Sequence, residues 1–153
     1  MKRESIKTSD GSNTSHIPDW NEQYHSIHGA IQEANHVYIQ QGLNYKAINE
    51  IAVLEIGFGT GLNSFMTFLK AQERKLTIEY VGVEAYPILK EELVKLNYVT
   101  ELDAIQFTEI FKSFHSCSWE EKHKITPNFS LLKRKQFFHE INDKNKFDVI
   151  YFD

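Results

Sequence analysis

The 153-residue chain has one cysteine, Cys117, so it cannot form an internal disulfide, and such sparing use of thiols suits a reducing, cytoplasmic setting. That cysteine is expected to act as a small hydrophobe and not as a nucleophile. No apolar run approaches the roughly 20 residues that a membrane-spanning helix requires. The polar stretch from Met1 to His16 has no hydrophobic region of the secretory type, so no signal peptide is read there. Excess positive charge is missing too. The formal net charge of −4 argues against a chain that grips nucleic acid by bulk electrostatics. Local basic clusters do occur at Lys122-His123-Lys124, Lys133-Arg134-Lys135 and Lys144 with Lys146. They could meet a phosphate backbone, but they read first as solvated faces. Histidines 16, 25, 28 and 36 lack the companions of a zinc site, with neither a cysteine pair nor an H-E-x-x-H, so no metal site is expected.

What is present is a globular composition, 41% hydrophobic and 13% aromatic, in a length that suits one domain with a sizeable core. Residues 1–18 read as a flexible segment with the turn-rich stretch Asp10 to Ser15, and 19–153 as the folded domain. Apolar residues at 30, 31, 34, 37 and 38 predict a helix ending near Gly42, read as a glycine at the helix C-terminus.

The organising stretch is Val53 to Asn63, V-L-E-I-G-F-G-T-G-L-N. An apolar strand (about 51–56) enters three alternate glycines, Gly57, Gly59 and Gly61, and a helical apolar pattern follows over about 61–72. Glycines at this spacing let main-chain N–H groups and a helix N-terminus face a polar ligand. A dinucleotide loop would have G-x-G-x-x-G/A, and neither Leu62 nor Ser64 supplies its third small residue. A second strand, 77–83, ends at Glu84, 23 residues beyond Gly61. In a βαβ unit this is where a carboxylate accepts the ribose hydroxyls.

Pro87 marks a helix start, with Leu89, Leu93 and Leu96 continuing an apolar stripe. A further helix is placed at about 104–114 and two short strands about a Pro-Asn turn over 123–132. A helical piece follows at 136–141, then a buried parallel strand running to Asp153. Alternating strands and helices predict an α/β, doubly wound, Rossmann-like sheet. Glu55, Glu84 and Asp153 are expected on one rim at its carboxyl ends.

The acidic-x-G-x-G-x-G pattern resembles motif I of class I S-adenosylmethionine (SAM) methyltransferases. More narrowly, the chain resembles the methyltransferase domain of the bacterial MnmC-like tRNA 5-methylaminomethyl-2-thiouridine enzymes. The likeness rests on Y-H-S-I-H-G-A-I-Q-E (24–33), E-I-G-F-G-T-G-L-N (55–63), V-E-A-Y-P (83–87) and F-D-V-I-Y-F-D (147–153). It implies a sheet of which strands 1–4, the N-terminal half, are present, the domain being incomplete beyond Asp153. It also implies a cytoplasmic enzyme with SAM held by Glu55, Gly57, Phe58, Gly59, Thr60, Gly61, Leu62, Asn63, Glu84 and Ala85. Glu55 would lie near the methionine amino group. Asp153 would be the catalytic residue, and Tyr24 and Glu33 would complete the substrate pocket.

The implied reaction is methyl transfer to the aminomethyl nitrogen of a modified wobble uridine in tRNA, with a separate FAD-dependent oxidase acting upstream. Where relatives carry Gly-Asp to recognise adenine, this chain has Gln136-Phe137, which leaves Gln136 as an alternative amide donor. Three other readings stay open at this point: a small-molecule SAM methyltransferase, a non-catalytic SAM or nucleoside-binding module, and an NAD oxidoreductase.

Overall fold

The computed structural model describes residues 4–7, 13–16, 29–45 and 48–152. Strands β1 (Glu4–Lys7) and β2 (Asn13–His16) pair antiparallel, so part of the segment read as flexible is a two-stranded ladder.

The main sheet has five strands: β3 (Glu50–Ile56), β4 (Thr77–Val83), β5 (Lys122–Thr126), β6 (Phe129–Arg134) and β7 (Val149–Phe152). Their order is β5-β6-β4-β3-β7. All neighbours are parallel except β5 and β6, a hairpin about Pro127-Asn128. β3 and β4 carry apolar residues on both faces, as central parallel strands do. At the entry to β7, Asp148 Oδ2 accepts the Ala52 N–H (2.8 Å) and the Asp148 N–H returns to the Ala52 carbonyl (2.8 Å), setting the register Val53↔Val149.

Among the described residues five helices, besides short 3-10 turns, accompany the sheet. Helix α1 is α-helical over 29–33 and widens to a π-helix over Ala34–Gln40. The others are α2 (Leu62–Arg74), α3 (Lys90–Leu93), α4 (Tyr98–Glu101) and α5 (Thr108–Ser116). Two of the sequence readings need correction here. Gly42 is not in the left-handed conformation of a helix-ending glycine. It is small because an added Cβ would lie 2.6 Å from the Tyr38 carbonyl oxygen and 3.3 Å from the Tyr151 ring. The helix placed at 104–114 divides into a 3-10 turn (Ile105–Phe107) and α5, which runs on to Ser116.

One face of the sheet holds the main core. Ile51, Val53, Ile78, Tyr80, Phe129, Leu131 and Tyr151 meet Tyr38, Phe65, Phe68, Tyr98, Phe111 and Phe114 from the helices. Aromatic rings interlock through it: Phe68 stands edge-on to Phe107, Phe114 and Phe129, and Phe114 stacks on Phe129 at 5.4 Å. The opposite face carries a smaller cluster, Leu54, Val81 and Val83, against Ile56, Leu132, Ile141 and Phe147. Among the described residues no helix is long and apolar enough to cross a membrane.

Candidate functional site

The carboxyl ends of β3 and β4 meet at the glycine loop. Gly57, Gly59 and Gly61 all have positive φ (95°, 54° and 81°), a region that side-chain-bearing residues avoid. The N–H groups of Gly57 and Phe58 both donate to the Val83 carbonyl (2.9 and 3.0 Å), which ties the loop to the last residue of β4. An added Cβ at Gly59 would meet only the Gly57 carbonyl, at 3.8 Å, so this part of the loop presents bare main chain to open space.

Glu84 reaches across from the end of β4. Its Oε1 accepts the Gly59 N–H (2.8 Å) and its Oε2 accepts the Tyr86 N–H (3.1 Å). The carboxylate and the loop, which the sequence places 25 residues apart, are thus joined directly. Ala85, beside it, is half-buried.

Glu55 is buried, 1% exposed, on the same sheet face as Tyr80 and level with Gly82 and Tyr151. A buried carboxylate needs donors, and it has them: Tyr80 Oη–H donates to Oε1 (2.7 Å) and Asn63 Nδ2 to Oε2 (2.9 Å). Burial first, and then the Glu55 charge, push the Tyr80 phenol well above its ordinary range, so it stays a donor. A second chain backs Asn63. The Thr67 hydroxyl donates to the Asn63 carbonyl (2.8 Å), which leaves Tyr151 Oη to donate to Thr67 Oγ1 (3.0 Å). Asn63 is therefore a positioning residue for Glu55.

A cavity of about 260 Å³ opens here. It is lined by Glu55, Gly57, Phe58, Gly59, Thr60, Leu62 and Asn63 from the loop side and by Glu33, Ala34 and Tyr38 from α1. Two carboxylates, Glu33 and Glu55, therefore border one small space beside bare loop main chain. Tyr24 and Asp153 lie outside the described residues.

Phe58 is placed differently from a simple ligand contact. Its ring, 3% exposed, packs on the bare backbone of Gly82, where an added Cβ would come within 2.4 Å of Cδ1. Gly61 has a similar constraint, since its Cβ would lie 2.9 Å from His115 Nε2. His115, on α5, fixes the crest of the loop. Its Nε2 lies 2.8 Å from the Thr60 carbonyl oxygen, which can only accept, so the proton sits on Nε2. Burial pulls the His115 pKa down to about 4, so the ring is neutral near pH 7. Tyr98 Oη donates to Thr60 Oγ1 (3.1 Å) from α4.

His115, Tyr98, Tyr80 and Gly82 escape sequence reasoning because they act from other elements. Only the glycine in the buried C-terminal half of β4 hinted at a close approach. At the position where the resemblance put Gln136-Phe137 in place of Gly-Asp, the Phe137 ring meets Tyr86 edge-on (5.9 Å), and Gln136 is half-buried. The basic cluster 133–135 also differs from a solvated face. Lys133 is 1% exposed, and Arg134 forms a two-pronged pair with Asp143 (2.6 and 3.2 Å).

With this geometry in hand, comparison with known proteins gives a consistent picture. The chain is similar to curated proteins described as tRNA 5-methylaminomethyl-2-thiouridine biosynthesis bifunctional protein MnmC. The one from Leptospira borgpetersenii serovar Hardjo-bovis (strain JB197) is 32% identical over 93 residues, covering 54% of this chain and 14% of that protein. The one from Leptospira interrogans (strain Fiocruz L1-130) is 32% identical over 102 residues, 61% and 15%. The one from Burkholderia multivorans is 34% identical over 82 residues, 50% and 12%.

Among solved structures, MNMC2 from Aquifex aeolicus matches with a TM-score of 0.63 at 20% identity, covering 99% of this chain and 49% of that one. No family model matches the chain. The chain thus spans about half of the solved relative and about one seventh of the curated ones. The α/β fold and the resemblance to MnmC expected from the loop and strand motifs are both borne out.

Proposed function

We propose that this chain carries the SAM-binding part of a tRNA-modifying methyltransferase, acting on the aminomethyl nitrogen of a modified wobble uridine. The observation that carries the reading is the bond from Gly59 N–H to Glu84, which brings together bare loop main chain and a strand-end carboxylate, the two parts that a nucleoside site uses. The likeness to MnmC proteins, whose descriptions name tRNA 5-methylaminomethyl-2-thiouridine biosynthesis, supports the choice of substrate.

The residues fit SAM on two counts. The open space over Gly59 admits a ligand to the main chain, and the Glu33 and Glu55 carboxylates border a cavity suited to an ammonium group. Glu84 would take the ribose hydroxyls and Glu55 the methionine amine, with Gly57, Phe58, Gly59, Thr60, Gly61, Leu62, Asn63 and Ala85 forming the cradle. Tyr86 and Phe137 offer ring faces to adenine in place of an aspartate.

When bound, SAM supplies an electrophilic methyl group on a sulfonium that leaves as a neutral thioether. The protein then has mainly to align the acceptor and exclude water. The acceptor amine must be neutral to attack, and Asp153 is the residue proposed to take its proton. Tyr24 and Glu33 are proposed to orient the base. Lys124, Lys135, Lys144 and Lys146 are exposed and offer contacts to the tRNA backbone, with an FAD-dependent oxidase expected to act upstream.

The test is transfer of tritiated methyl from SAM to bulk tRNA lacking this modification. Label in RNA that RNase releases is expected. Label only in small molecules would redirect the reading to a small-molecule methyltransferase, and SAM binding without any transfer would redirect it to a binding module.

A further inference from the structure

Beside the glycine loop, and also lined by Phe58 and Gly59, lies a second and larger cavity of about 730 Å³. This is within the size range of small-molecule sites. α3, α4 and α5 wall it, with Ile88, Leu93, Leu96, Val99, Phe111 and Trp119 giving it an apolar body. Its charged lining is all of one sign. Lys90, Lys112 and Lys133 line it and no Asp or Glu does, in a chain whose net charge is −4.

Lys90 and Lys112 are exposed at the rim, the latter 3.4 Å from Glu109 Oε1. Lys133 is buried. Its Nζ donates to the His115 carbonyl (3.0 Å) and stands 4.8 Å from the centre of the Trp119 ring. The Cys117 thiol hydrogen-bonds it and the His115 ring is a further neighbour, while no carboxylate pairs with it among the described residues. A buried cation served by one carbonyl, a weakly accepting thiol and a ring face is an unfavourable arrangement unless an anion completes it.

From this cavity and its one-signed lining we infer a binding site for a small anionic amphiphile, with a flat or aliphatic apolar body and a carboxylate or phosphate head directed to Lys133. The inference concerns binding alone and does not depend on methyl transfer. The site shares Phe58 and Gly59 with the glycine loop, and its wall residue His115 holds the Thr60 carbonyl, so an occupant would touch the loop.

The test is calorimetric titration of the full chain with 1-naphthaleneacetate, 1-naphthylphosphate and the neutral 1-naphthaleneacetamide. Saturable one-to-one binding of an anion, at least tenfold tighter than the amide, is expected. The two anions tell a carboxylate site from a phosphate site. The Lys133→Met variant, if its melting curve is intact, is expected to lose that tenfold preference. The exposed pair Lys90→Gln/Lys112→Gln, which leaves the core untouched, is expected to weaken the anion about threefold without changing the amide.

Equal binding of amide and anions would overturn the inference, and so would no saturable binding. Charge variants that leave the preference intact would do the same, Lys133→Met being set aside if it does not fold.

Discussion

The packing of Phe58 on Gly82 gives the sharpest test of how the loop is held. A Gly82→Ala change would put a Cβ at 2.4, 3.1 and 3.2 Å from Cδ1, Cγ and Cε1 of the Phe58 ring. Carbon atoms settle near 3.5–4.0 Å, so the ring must retreat by about 1 Å. Behind it stand the His115 ring, edge-on at 5.9 Å, and the loop that His115 holds at Thr60. Overpacking of this kind costs about 1–3 kcal/mol, a fall in Tm of about 3–10 °C for a chain of this size.

The comparison that isolates the cause is the same change in a Phe58→Ala background, which removes every ring atom. There the clash is gone, and Ala is the better strand residue by about 0.5–1 kcal/mol, so Gly82→Ala should be neutral or mildly stabilising. Urea unfolding of the four proteins should therefore give a coupling of at least about 1 kcal/mol. An equal cost of Gly82→Ala in both backgrounds would refute the reasoning.

Three further outcomes are expected. Tyr80→Phe leaves buried Glu55 one donor short and should destabilise by about 1–3 kcal/mol in urea unfolding, whereas exposed Tyr86→Phe should be silent. His115 has a folded pKa near 4 against an ordinary 6.5, so the unfolded chain binds the extra proton between these values. Stability should therefore be whole above about pH 6.5 and fall by roughly 2–3 kcal/mol on acidification toward pH 4, a slope that His115→Gln should flatten. Arg134→Met leaves Asp143, whose carboxyl that guanidinium holds below its ordinary range, with only the exposed Lys146 at 3.7 Å, and should cost about 1 kcal/mol at pH 7 and less at pH 3.

How much of this was legible in the sequence depends on how local the signal is. β3, α2 and β4 lie where the apolar run, the glycines and the second apolar run put them, because strand and helix periods there are strong and close together in the chain. The hairpin about Pro127-Asn128 was legible for the same reason. Its turn residue Asn128 also braces the sheet, donating through Nδ2 to the Leu76 carbonyl (2.9 Å).

The ends of α5 were not legible, since Ile105–Phe107 and Thr108–Ser116 share one apolar pattern and only the turn geometry divides them. Lys133 was misread because three consecutive basic residues look solvated. In a strand they alternate, and position 133 falls on the face of Phe129 and Leu131. Glu55 and Glu84 were found as carboxylates at strand ends. That Tyr80 clasps the one and Gly59 the other follows from the pairing of β3 with β4, which no single stretch of sequence encodes, whereas Asn63 reaches Glu55 from within the same stretch.

The most direct measurement is calorimetric titration of the chain with S-adenosylhomocysteine, beside Glu84→Ala and Gly59→Val. One-to-one binding by the unaltered chain, weakened at least tenfold in both variants while their melting curves persist, is the predicted result. No binding at millimolar ligand, or binding that both variants leave unchanged, would contradict the assignment of the glycine loop and Glu84 as the cofactor's seat.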